Sequence, residues 1–224
     1  SNNLELTEPY KSYLQKLKFW NNKLEKNSSQ ALVYVNWERE IMRQFHMKYV
    51  PDQVKDIIDV QLYKVIQKLR ESESVDRDQF LRETFISSID KLELEFGNNY
   101  DNWVYGQDKY KHIKVKHPLE RIVNDSVNKI LSFNSYPRGG NAYTPGSTGS
   151  NLSQSSGATF RVIIDTEDWD NSVASNAPGQ SGNPDSKFYR NLYKDWADDK
   201  YFNLLYSKEE ILKNLHKREI FYPN

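Results

Sequence analysis

Three features of this chain predict an α+β fold. Apolar residues recur at helical spacing through its first half, a strand-forming run stands near residue 160, and a stretch too polar to pack separates the two. The expected organisation is a helical part over residues 1–97 and a strand-containing part over 98–224, with a polar loop at about 137–156.

The elements follow in order. Pro9 sits where a first helical turn tolerates it, and Tyr13, Leu14 and Leu17 supply a short apolar face. Ser28 or Ser29 is a suitable N-cap for a second helix, striped by Val33, Trp37, Ile41 and Phe45 and broken at Pro51. Val54, Ile58, Leu62, Val65 and Leu69 predict a third. After the polar run Glu71 to Ser74, a fourth carries Leu81, Phe85, Ile89, Leu92 and Phe96, with Gly97 as its C-cap. Alternation over His112 to Lys116 predicts a short strand ended by His117-Pro118. Gly, Ser, Thr and Asn dominate from Pro137 to Ser156, which reads as a long loop. The best strand is Phe160 to Ile164, where consecutive Val162, Ile163 and Ile164 predict burial on both faces. Ser207 and Glu210 have capping-box spacing for a last helix from about Lys208 to Leu215.

Composition excludes several functions. Lys and Arg total 31 against 31 Asp and Glu, so there is no electrostatic footprint for nucleic acid or an anionic membrane. Mean hydropathy is -0.85, and no apolar run is long enough to span a bilayer. Without cysteine there are no disulfides, zinc thiolate sites or cysteine nucleophiles.

The side chains that invite a chemical role each meet a simpler requirement. Ser181 lies in Gly179-Gln180-Ser181-Gly182, but a nucleophile elbow needs glycine two residues after the serine, where Asn183 stands. A tight glycine turn that brings backbones together is the better reading. Asp165, Glu167, Asp168 and Asp170 resemble a calcium loop only loosely. With Asp165 first, Asp170 and Asn176 occupy the positions that need glycine and glutamate. None of His46, His112, His117 and His216 forms a helical i, i+4 pair for zinc; His112 and His117 are close enough in sequence for a base and its orienter, but packed or surface residues beside a strand are the better reading. The aromatic residues, 13% of the chain, fall mostly on the helical stripes as core. Ser1 with a free amine would be an N-terminal nucleophile. The segment after it, Leu4 to Pro9, runs into a helix rather than a buried strand, so Ser1-Asn2 reads as an appended or coincidental start.

A collinear set of blocks then carries a resemblance. Leu17, Trp20 and Asn21-Asn22 are followed by Ser29, Ala31, Tyr34 and Trp37, then by Trp103, Tyr105, Gly106 and His117-Pro118-Leu119. Gly139-Gly140, Gly157, Phe160-Arg161, Gly179 to Pro184, Ser186, Tyr189 and Trp196 complete the series. In this order they resemble the C-terminal part of the β chain of penicillin acylases, amidases of the N-terminal-nucleophile hydrolase superfamily. The chain departs from the family at Trp20-Asn21-Asn22, where the family carries Trp-Asp-Gly, and at Tyr105, where it carries a second Trp.

The resemblance implies that residues 1–97 form the helical arm of the β chain, and that 98–224 supply antiparallel strands and helices to a four-layer αββα sandwich. It implies a parent that hydrolyses linear amides through a serine acyl-enzyme, exported to the periplasm or secreted. The family's catalytic serine, oxyanion residues and calcium ligands belong to stretches upstream. Hence no catalytic, cofactor-binding or metal-binding residue is assigned here, no cofactor is expected in this segment, and the isolated segment is expected to be inactive. Its expected partners are the rest of the β chain, the α chain and, through the parent, an acyl amide substrate. The unsatisfied edge of Phe160 to Ile164 adds a dimer of the isolated chain. Two alternatives stay open at this point: a non-enzymatic helical interaction module with only fold-level likeness, and a degenerate acylase kept for binding.

Overall fold

The computed structural model describes residues 5–107, 109–110, 112–145 and 153–222, and divides the chain into two compact units, residues 1–110 and 111–224.

The first unit is helical. Helix α1 spans Tyr10–Lys18 and α2 spans Ser29–Tyr49, with Ser28 as N-cap accepting from the Ala31 N–H. The third helix, α3, runs only over Leu62–Glu71. The expected earlier start at Val54 is corrected: that residue ends a short 3-10 turn, Asp52–Val54. Ile58 is tied by its carbonyl to His46 Nε2 at 3.2 Å, and Val60 packs against the Phe45, Val65 and Phe80 cluster. Spacing alone ran the helical stripe back through Val54, which is only half-buried, and Ile58, which is exposed, and neither joins the buried cluster. Helix α4, Ser74–Phe96, ends at Gly97, whose φ of 74° is the left-handed conformation that glycine adopts freely.

The α2 and α4 stripes meet in the core. Ala31, Leu32, Val33 and Trp37 of α2 and Phe85, Ile89 and Leu92 of α4 are all buried, with the Trp37 and Phe85 rings edge-on at 5.0 Å and Trp37 Nε1 donating to Thr84 Oγ1. The helical unit extends beyond residue 97, because Trp103, Tyr105 and Tyr110 are buried in it. Trp103 stacks on Tyr13 at 5.0 Å and donates through Nε1 to the Gly97 carbonyl.

The second unit holds two small sheets. Strand β1, His112–Ile113, pairs antiparallel with β2, Tyr136–Pro137, and parallel with β3, Ser153–Gln154. The other sheet is antiparallel, in the order β4 (Phe160–Ile163), β5 (Val173–Asn176), β6 (Phe202–Asn203). Helices α5 (Asp125–Leu131), α6 (Tyr193–Ala197) and α7 (Lys208–Lys213) complete the unit, α7 being capped by Ser207 as the spacing predicts.

The expected burial of β4 on both faces is overturned. Phe160, Val162, Ile163 and Ile164 are 54%, 44%, 59% and 55% exposed. Cross-strand partners share a face, so the pairs Phe160–Asn176, Val162–Ala174 and Ala174–Phe202 place Phe160, Val162 and Phe202 on one side. Ala174 is buried between them, leaving a low apolar surface that is open among the described residues. On the other side, Arg161 turns inward. Its guanidinium donates to Asp199 Oδ1 and to the Trp196 carbonyl and lies over the Trp196 ring.

Candidate functional site

The glycine turn after β5 is the sharpest local feature. A Cβ on Gly179 would lie 2.1 Å from the Phe188 carbonyl oxygen, a clash with backbone that no rotamer relieves. That close approach lets the Gln180 N–H bond the Phe188 carbonyl at 2.8 Å and folds the segment back on itself. The Ser181 hydroxyl accepts from the Asn183 N–H at 3.1 Å, shaping a turn rather than addressing a base.

The acidic residues are occupied in the same way. Asp165 Oδ1 accepts from the Glu167 and Asp168 N–H groups, which lower its pKa from the ordinary carboxylate value. Asp168 caps the turn at Trp169–Asn171, and Asp170 Oδ1 accepts from the Tyr206 and Ser207 N–H groups. Among the described residues no cluster of His, Asp or Glu is arranged to hold a metal ion. His112 is buried on β1, while His117 caps the following 3-10 turn, its Nδ1 accepting from Leu119 N–H at 3.1 Å. Ser1 lies outside the described residues.

What sequence reasoning missed is a cavity in the second unit, of roughly 520 Å³. Its floor is aromatic. Tyr193 and Trp196 stack at 5.8 Å, Phe133 stacks on Tyr189 at 5.6 Å, and Val115 and Pro178 form the walls. Burial pushes the Tyr193 phenol up to about 12, so it stays neutral. Tyr189 is anchored through its hydroxyl to the Leu131 carbonyl, and Trp196 through Nε1 to the Ala158 carbonyl. Part of the signal was present in the i, i+3 spacing of Tyr193 and Trp196, which sets two rings on one side of α6.

In the first unit the unusual Trp20-Asn21-Asn22 sequence makes a tight turn. Asn21 Oδ1 accepts from the Lys23 N–H at 2.9 Å, the bond an aspartate would also make. Asn22 has φ 61°, a left-handed position that asparagine tolerates where glycine would be ordinary. Gly106 bonds the Lys26 carbonyl, and a Cβ there would lie 2.5 Å from the Lys26 Cβ.

The fold is an α+β segment whose characteristic residues are committed to turns, caps and backbone contacts. The penicillin amidase family model matches residues 2–213, and the chain belongs to that family. No curated protein matches it. Among solved structures, the thermostable penicillin G acylase from Alcaligenes faecalis is similar at 13% identity with a TM-score of 0.49; the match covers 100% of this chain and 44% of that one.

Proposed function

We propose that the chain is the C-terminal part of the β chain of a penicillin-acylase-like amidase, and that it builds the enzyme's architecture without supplying its nucleophile. In the parent, an N-terminal serine attacks the carbonyl of a linear amide while its own α-amine takes and returns the proton. Backbone and side-chain donors hold the oxyanion until water releases the acyl group. The observation that supports this reading is the structural use of the signature residues: Gly179, Ser181, Arg161 and Trp196 are all engaged in contacts that hold turns and strands together. The exposed face of Phe160, Val162 and Phe202 fits a segment that packs beneath a further layer of an αββα sandwich. A periplasmic or secreted parent is inferred from family membership alone. In isolation the same face and the free β4 edge favour a dimer.

The test is turnover of phenylacetyl and long-chain acyl anilides. The purified chain is expected to release no aniline, whereas the full reading frame carrying an N-terminal serine is expected to do so. Turnover by the chain alone overturns the proposal.

A further inference from the structure

The outer edge of β4 is a template without a partner. Thr159 and Ala177 continue the β4–β5 register, and the Ala177 N–H bonds the Thr159 carbonyl at 3.0 Å. Antiparallel pairing alternates, so Arg161 and Ile163 face β5 while the N–H and C=O of Phe160 and Val162 point away from it. Among the described residues no hydrogen-bond partner meets those groups. Acidic residues follow the strand. Asp165, Glu167 and Asp168 stand just past Ile164, and among the described residues none of the three is paired with a cation. The segment after α7 has the complementary character. His216, Lys217 and Arg218 precede Ile220, Phe221 and Tyr222, which are 65%, 85% and 81% exposed and belong to types that favour strands. Residues 216–222 form no helix or strand, and their polar contact among the described residues is the Lys217–Glu219 ion pair within the segment. The segment does not lie on β4 of its own chain, since that strand pairs only with β5 there.

We propose that residues 216–222 of one copy add to the β4 edge of a second copy as an antiparallel strand, the exchange being made twice about a two-fold axis. Charge sets the direction. Antiparallel addition lays residues 216–218 beside 165–168 and residues 220–222 beside 160–162, so the basic residues meet the free carboxylates. Parallel addition would lay the apolar residues against the acids instead. With Tyr222 opposite Phe160, Ile220 stands opposite Val162, and both pairs extend the open apolar face of the sheet. This exchange is the form that the expected self-association of β4 takes, and it does not rest on the amidase reading.

Sedimentation velocity and amide hydrogen exchange on the full chain provide the test. Ile220 is exposed in the single copy, so Ile220→Asp is expected to leave the circular dichroism spectrum unchanged. It is expected to weaken the dimer at least about tenfold, because a carboxylate then enters the apolar face unpaired. Arg218→Glu and Glu167→Lys are each expected to weaken it about threefold, the scale of an exposed ion pair made twice, and together to restore it. The Phe160 and Val162 amides are expected to exchange slowly in the dimer and fast in Ile220→Asp. Absence of a dimer, or failure of the paired charge reversals to restore it, would overturn the proposal. So would a monomer in which those two amides are protected, because the segment would then lie on its own strand. A dimer sensitive to Val162→Lys but not to Ile220→Asp would overturn the exchange and leave association through β4 standing.

Discussion

Glu40 shows how one side chain can fix a helix pair. It is 4% exposed on α2 and accepts from Arg43 and Gln44 on its own helix and from Ser87 and Lys91 on α4. Burial alone would push its carboxyl up. The donors from Arg43, Gln44, Lys91 and Ser87 outweigh burial and hold it far below the ordinary range. A carboxylate so depressed binds protons more weakly when folded than when unfolded. Its contribution is therefore whole above the ordinary value of 4.5 and is lost as the pH falls further. Urea denaturation across pH should show stability declining below about pH 4.5 in the native chain, with a flatter acid limb in Glu40→Gln. Because the Arg43 and Lys91 side chains are 56% and 52% exposed, water compensates part of the lost partner. The cost of Glu40→Gln at pH 7 is then about 2 kcal/mol, below that of breaking a fully enclosed pair. A steeper acid limb in the variant would contradict this account. Two glycines give a matched contrast at the same scale. Gly179→Ala drives a Cβ into the Phe188 carbonyl and should cost about 3 kcal/mol, while Gly182→Ala should stay within about 0.5 kcal/mol by the same denaturation.

Among the elements, β4 carries the clearest liability. Among the described residues it pairs only with β5, and its apolar side chains stand open to solvent. The isolated chain should self-associate through this strand, and Val162→Lys should weaken the dimer at least tenfold in sedimentation velocity without lowering the melting temperature. Unchanged association in Val162→Lys would place the contact elsewhere. The elements also show what the sequence could and could not tell. The α2 and α4 stripes, the Ser28 and Ser207 caps and the Gly97 stop were readable because each depends on a local rule. Strand β5 was not. Val173–Asn176 is half polar, and its middle is buried because Ala174 and Ser175 are small enough to lie beneath larger neighbours. Helix α6 and strand β6 are too short for a period to develop. The start of α3 was misplaced for the opposite reason, since Val54 and Ile58 stand at helical spacing from Leu62 without being part of the helix. The cavity lay beyond pattern reading, because Phe133, Val115 and Pro178 come together only through the fold.

For the whole molecule, the error about β4 is the most instructive. A run of Val162, Ile163 and Ile164 is written for a strand covered on both sides, yet the chain leaves it more than two-fifths exposed at each position. The demand for cover on this face and the commitment of the signature residues elsewhere lead to one prediction about assembly. If the chain completes the core of an amidase, then supplying it separately to a preparation of the remaining enzyme should restore anilide hydrolysis that neither part shows alone. Val162→Lys should reduce that recovery by burying an unpaired ammonium beneath the covering layer. Gly182→Phe should leave it intact, because Gly182 is exposed, a Cβ there meets nothing within 4 Å, and the cavity it lines has no assigned catalytic part. Recovery insensitive to Val162→Lys would mean that the open sheet face is not where the parent packs. Loss of recovery in Gly182→Phe would instead join the cavity to the catalytic architecture. The two variants therefore separate the two surfaces on one assay, and each outcome assigns one of them.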